Sequence, residues 1–304
     1  MLRASELQTR IHGLAQLGEV VGALRSVSAA RVQQAHAVLD SVRQYTAVIR
    51  DALAEAARGV VFPSWPPRSS DAPGRGGCVV AFGSEHGFVG GFNERVLTHA
   101  AMQRQAGDEL LVVGSRAVLV AGERRHEMSW SCPMASQVGA VDEVALRVAE
   151  QIGRSGGLHE TARVILVYTR SSGGATWRIV TETLLPFDIR PYLPSRVDRP
   201  TPLSNLPPAD LLDGLIGELL FAQLAHAATE SFASESAARL GAMESAADNI
   251  ASKLEDLTRA EREMRQEEIT TELLDIVTGA EAIAGDQGLA RAPALRAASR
   301  NPGR

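Results

Sequence analysis

The chain has 304 residues, room for about two ordinary domains, and 45% of them are hydrophobic, which excludes disorder along its whole length. Only 4% are aromatic. The apolar surface therefore comes mostly from small and aliphatic side chains that suit close helix contacts, which argues against an all-β sandwich. With 31 basic side chains, of which Lys253 is the single lysine, against 36 acidic ones, the formal charge is -5 and no nucleic-acid partner is expected.

The segment from Met1 to Thr9 mixes Arg3 and Glu6 with isolated apolar residues, unlike the core of a signal peptide. No uninterrupted run approaches the roughly 18 apolar residues of a membrane span. From Ala4 to about Arg58 there is no proline, and Ile11, Leu14, Val21, Val32, Ala35, Leu39, Val42, Ile49, Leu53 and Ala56 fit alternating steps of three and four. That is a heptad seam. Gly18, Arg25, Ser28 and Thr46 fall on it where a homodimeric zipper would hold Leu, Ile or Val, so an imperfect partner face is expected. At about 1.5 Å per residue the helix is on the order of 80 Å long and needs an equally long partner.

Phe62 to Gly77 holds four prolines and three glycines and reads as a linker. The period then changes. Cys78 to Phe82, Leu110 to Val113, Val164 to Tyr168 and Trp177 to Leu185 read as strands, with helices over Glu94 to Gln105 and Val141 to Arg154 between them. This alternation predicts a small α/β domain with a partly parallel sheet. Seven prolines between Pro186 and Pro208 form a second connector.

From Ala209 to about Ile283 there is again no proline, and Leu212, Leu215, Leu219, Leu224, Met243, Ile250, Leu254, Leu257, Leu273 and Ile276 recur at roughly helical spacing. Between Ser231 and Ser252 alanine and serine dominate, which lets another helix approach closely. The fold class expected is α/β, a long antiparallel coiled coil of N- and C-terminal helices with an inserted Rossmann-like domain. Its parts are an N-terminal helix at 1–58, a linker at 59–77, the α/β domain and connector at 78–208, a C-terminal helix at 209–284 and a disordered tail at 285–304.

Candidate chemistry is sparse. Gly83 to Asn93 (GSEHGFVGGFN) lies between a strand and a helix, where glycines can admit a phosphate. It fits neither GxGxxG nor a P-loop and carries no lysine, so a structural turn is expected. Glu85 and His86 are adjacent on that turn without a nucleophile and read as solvated. The seven histidines form no HxxxH or HExxH pair, and Cys78 and Cys132, 54 positions apart, fit neither a zinc site nor a disulfide framework. No catalytic residue, metal or cofactor is expected, and the cysteine usage points to a reducing compartment. Leu254 to Ala282 carries nine acids and three arginines, whereas Met1 to Arg58 carries seven arginines and five acids. Both a solvated helix face and a partner-facing surface are consistent with that contrast.

Three stretches together resemble the gamma subunit of F-type ATP synthase, the central rotor stalk. In the first helix Arg10, Ile11, Ala23, Leu24, Val27, Ala29 and Arg31 sit where the family carries RI and then an AM-x-x-VAASK-like run, with Leu24 for Met and Arg31 for Lys. Gly87-Phe88-Val89-Gly90-Gly91-Phe92-Asn93 is similar to GLCGGLN. The strongest likeness runs from Ser231 to Leu254 (SFASESAARLGAMESAADNIASKL) and continues through Arg265-Gln266, Ile269 to Leu273 and Ile276 to Ala280.

The resemblance covers about residues 5–284 and implies a non-catalytic subunit that couples ion flow to ATP synthesis or hydrolysis. The implied partners are the alpha and beta subunits of the catalytic hexamer, the epsilon subunit and the membrane c-ring. The implied location is the cytoplasmic face of the bacterial plasma membrane. Carried over residue by residue, Leu24, Arg31, Arg239, Arg265, Gln266, Thr270 and Glu272 would contact beta, while Gly87, Gly90, Gly91 and Asn93 would shape the turn.

Overall fold

The computed structural model describes residues 2–57, 77–154, 163–173, 175–192 and 204–289. The expected linker falls outside these residues except for Gly77, as do 193–203 of the second connector and 290–304 of the expected tail. Residues 285–289, assigned to that tail from sequence, continue the last helix.

In chain order the elements are α1 (Leu2–Ala57), β1 (Cys78–Phe82), α2 (Phe92–Gln103), β2 (Glu109–Val113), α3 (Ser115–Glu123), β3 (Trp130–Cys132), α4 (Val141–Arg154), β4 (Val164–Gly173), β5 (Thr176–Leu185) and α5 (Pro208–Leu289). Pro208 opens α5 at a position where a missing N–H costs nothing. The described residues form two compact units, 2–20 with 247–289, and those within 21–246.

In the smaller unit α1 and α5 share a heptad seam. Leu7, Ile11, Leu14 and Gly18 are the covered positions of α1, and Ile250, Leu254, Leu257, Glu261, Met264 and Glu268 of α5 are covered at the same spacing of threes and fours, with Ala247, Thr258 and Ala260 half-buried beside them. Gln8 donates to Glu261 across the seam at 3.0 Å. From Ile269 to Ala280 every α5 side chain is exposed.

The larger unit holds a five-stranded sheet of order β3-β2-β1-β4-β5. β1 to β4 run parallel and β5 returns antiparallel to β4 at the edge. The central strand β1 (CVVAF) is buried throughout, as parallel strands covered on both faces require, while β5 alternates between more and less exposed residues. At the N-terminal edge of the sheet the buried Asp108 accepts from the Gly77 and Gln105 amides and from Arg163, tying the starts of β1, β2 and β4 together.

One face of the sheet is covered by α2 and α3 through Phe92, Val96, Leu97, Ala117 and Val120. Against the other lie α4 and the α1–α5 pair, with Ala35 and Leu39 of α1 and Leu224, Ala228, Phe232 and Ala233 of α5 in one core. The two helices are antiparallel here, since Arg43 lies against Glu230 while Tyr45 donates to Glu218. Every residue of α5 from Ala227 to Arg239 is buried, because α1 covers one side and the sheet the other. One 18-residue window of α5 has a mean hydropathy of 1.3 and meets the length and composition of a membrane span, although no uninterrupted apolar run is present.

Candidate functional site

The order of the strands places a topological switch between β1 and β4, the crevice where doubly wound folds hold ligands. β1 pairs with β4 as far as Ala81 opposite Val167. Beyond that point the Thr169 amide turns to α5 and donates to Ser231 Oγ at 3.3 Å. α5 thus occupies the crevice with its own polar side chains.

The turn after β1 is fixed from within. Asn93 at the start of α2 accepts from the Ser84 amide at 2.9 Å and donates to Ser84 Oγ at 2.8 Å, and that hydroxyl donates to the His86 carbonyl at 2.9 Å. Gly83 admits this contact, since a Cβ there would lie 2.3 Å from Ala117 Cβ and 2.9 Å from Asn93 Oδ1. Gly90 has φ +58, the left-handed region glycine tolerates. Gly87 and Gly91 have open space where a Cβ would stand.

Two carboxylates complete the turn. Glu85, expected in solvent, accepts from the Ser115 amide at 2.9 Å, Ser115 Oγ at 2.7 Å and the Met134 amide at 2.7 Å, so it caps the N-terminus of α3. Glu235 of α5 accepts from the Glu85 amide at 3.0 Å and the His86 amide at 3.2 Å. Arg239, one helical turn later and on the same face, donates to Glu235 at 2.6 Å and to the Gly87 carbonyl at 3.0 Å. The amides that a phosphate would need are therefore paired with carboxylates of the same chain.

A second polar cluster joins α1, α5 and β4. The buried Glu230 lies 3.3 Å from Arg170 Nε, 3.6 Å from Arg43 and 3.5 Å from His226 Nε2. Burial raises the Glu230 pKa despite those arginines. Burial, with Arg170, Arg43 and Arg50 nearby, lowers His226 to about 4, so the imidazole is neutral at pH 7 and its contact with Glu230 is not an ion pair. Tyr168 donates to Glu182 at 3.0 Å and Gln223 reaches the same carboxylate.

Chemistry elsewhere is muted. Burial pushes the Cys78 thiol up to about 12 and the Cys132 thiol to about 11, far from a reactive thiolate. Among the described residues no group of His, Cys, Asp and Glu has the arrangement of a metal site.

The seven candidate contact residues are divided between the two units. Leu24 and Arg31 are half-buried on α1 in the larger unit. Arg265, Gln266, Thr270 and Glu272 are exposed on α5 in the smaller unit, with Thr270 Oγ1 donating to the Gln266 carbonyl one turn back. Arg239 departs from the expectation of an outward contact: it is buried, and its guanidinium faces Glu235 and the turn. Sequence reasoning passed over Glu235, Ser115 and Glu85 as partners. The only trace was Glu235 four residues before Arg239, a spacing common on any solvated helix.

Fold and site define a coiled-coil subunit carrying a Rossmann-like domain whose switch point is closed by the chain's own helix. An ATP synthase family model matches residues 3–283. The ATP synthase gamma chain of Prosthecochloris aestuarii is 30% identical over 94% of this chain and its own full length, and that of Chlorobaculum tepidum is 27% identical over 91% of this chain and 98% of its own. Among solved structures, a chain of the Euglena gracilis mitochondrial ATP synthase (OSCP/F1/c-ring, rotational state 3) superposes with a TM-score of 0.64 at 16% identity, covering 98% of this chain and 99% of that one. The chain belongs to the ATP synthase gamma family, the central rotor stalk of the F-type ATP synthase. It is accordingly part of a rotary ATPase and of a membrane-associated complex.

Proposed function

We propose that this chain is a non-catalytic rotor subunit whose α5 turns against the alpha and beta subunits of the catalytic hexamer, coupling ion flow to ATP synthesis or hydrolysis. The observation that carries this reading is a band of apolar side chains on α5. Ile269, Leu273, Leu274, Ile276 and Val277 are 52% to 67% exposed, an apolar surface that calls for a protein sleeve. Arg265, Gln266, Thr270 and Glu272 lie beside or within that band and supply its polar contacts to beta, while Leu24 and Arg31 are the contacts on α1. The α/β domain meets the epsilon subunit and the membrane c-ring at the cytoplasmic face of the bacterial plasma membrane.

The role asked of the protein is energetic linkage between distant sites rather than bond-making. The test is ATP hydrolysis by an alpha and beta hexamer reconstituted with and without this chain. Turnover that depends on the chain supports the reading, and turnover indifferent to it overturns the reading.

A further inference from the structure

We propose that Glu235 is a positioning residue for coupling: its carboxylate locks the turn after β1 onto α5 and so fixes the angular register of the α/β domain about that helix. This rests on the reading above that the chain transmits rotation.

The hydrophobic effect is itself non-directional. The part of α5 facing the domain is rich in small residues, with Ala227, Ala228, Ala233, Ala237 and Ala238 all buried, and Leu224 and Phe232 are its bulky side chains in the core. Directional restraint comes from polar contacts: Ser231, Glu230 and Gln223 reach β4 and β5, and Glu235 with Arg239 reaches the turn after β1. The two oxygens of Glu235 receive two consecutive amides, Glu85 at 3.0 Å and His86 at 3.2 Å. Arg239 orients that carboxylate at 2.6 Å and adds a bond to the Gly87 carbonyl.

A helix that advances by one residue turns its side chains by about 100°, so no neighbouring register preserves this pairing. The turn is bound to the domain in its own right. Glu85 reaches Ser115 and Met134, and Asn93 holds Ser84. Torque arriving along α5 thus has a continuous polar path through Glu235, the Glu85 and His86 backbone and the Glu85 carboxylate to the N-terminus of α3 and the segment after β3. Charge-assisted bonds are stronger than neutral ones, and the buried setting of Glu235 keeps water from competing.

The experiment uses the assembled, membrane-bound enzyme carrying Glu235→Gln, a near-isosteric change that removes the charge. Three quantities are read: hydrogen exchange at the Glu85 and His86 amides, ATP hydrolysis, and ions transported per ATP hydrolysed. Exchange at both amides should rise by roughly tenfold, hydrolysis should persist, and transport per ATP should fall by roughly fivefold.

Wild-type transport per ATP in the variant overturns the proposal. Parallel loss of hydrolysis and transport at normal assembly also overturns it, because that is the signature of a general structural defect. Should the Gln variant fail to assemble, Glu85→Gln, at the half-exposed outer link of the path, is judged by hydrolysis and transport per ATP in the same way. A wild-type assembly that hydrolyses ATP no differently from the bare hexamer would instead sink the underlying functional reading.

Discussion

Two glycines of the turn after β1 are required for different reasons. Gly90 has φ +58 and open space where a Cβ would stand, so its demand is conformational. Gly90→Ala should cost about 1 kcal/mol, with Gly90→Val costing more because a branched side chain fits that region worst. Gly83 is constrained by space, since a Cβ would meet Ala117 at 2.3 Å. Gly83→Ala should therefore lower the melting temperature further than Gly90→Ala, and the reverse order would show that the β1 end yields more easily than its geometry suggests. The glycine run was legible as a turn because its residue types admit little else. Which glycine bears the tight contact was not legible, because that depends on Ala117 and Asn93 arriving from elsewhere in the fold. Glu235 was hidden for a related reason: only burial distinguishes it from an ordinary exposed partner of Arg239.

Among the elements, the long helices and four of the five strands were readable from period and composition. α3 and β3, nine and three residues long, are too short for a period to stand out. The α1 seam departs from the heptad at one step, where Leu24 is half-buried and Arg25 exposed, because a step of three after Val21 keeps the guanidinium in water. From Ala227 to Arg239 α5 has no exposed face because both sides are covered. Ala233→Leu should cost about 1–3 kcal/mol by overpacking, whereas Ala251→Leu on the exposed face should stay within about 0.5 kcal/mol, a contrast that urea unfolding measures directly. His226 sets a pH dependence at the same junction. Its native pKa of about 4 lies below the ordinary histidine value of 6.5, so between those values the unfolded chain binds more protons and stability falls as pH drops. The loss is on the order of 3 kcal/mol. Glu230, raised by burial, acts in the opposite sense, its unfavourable contribution fading on acidification. His226→Gln should flatten the decline in unfolding midpoint between pH 6.5 and pH 4, and an unchanged slope would show that the imidazole is protonated when folded.

For the whole molecule the informative region is α5 beyond Glu268, where the chain leaves apolar side chains uncovered. Replacing Ile276 and Val277 by serine should leave the melting of the isolated chain within about 0.5 kcal/mol of the parent, since neither side chain is buried in it. On the proposed function the same change removes apolar area from a contact in the assembled complex, at about 25 cal/mol for each Å² that the partner covers. It should therefore weaken association with the hexamer while the fold stays intact. Arg265→Ala separates binding from transmission on the same surface. The side chain is exposed, so folding should be unaffected, and loss of the proposed charged contact should lower coupled turnover more than it lowers the amount of complex recovered. Melting of the isolated variant, recovery of complex and turnover per complex are the three measurements. A fully coupled Arg265→Ala enzyme would remove that residue from the contact set, whereas an unstable isolated chain would mean that α5 relies on this arginine within its own unit. Only normal melting combined with impaired turnover places the defect at the surface between this helix and the subunits that perform the chemistry.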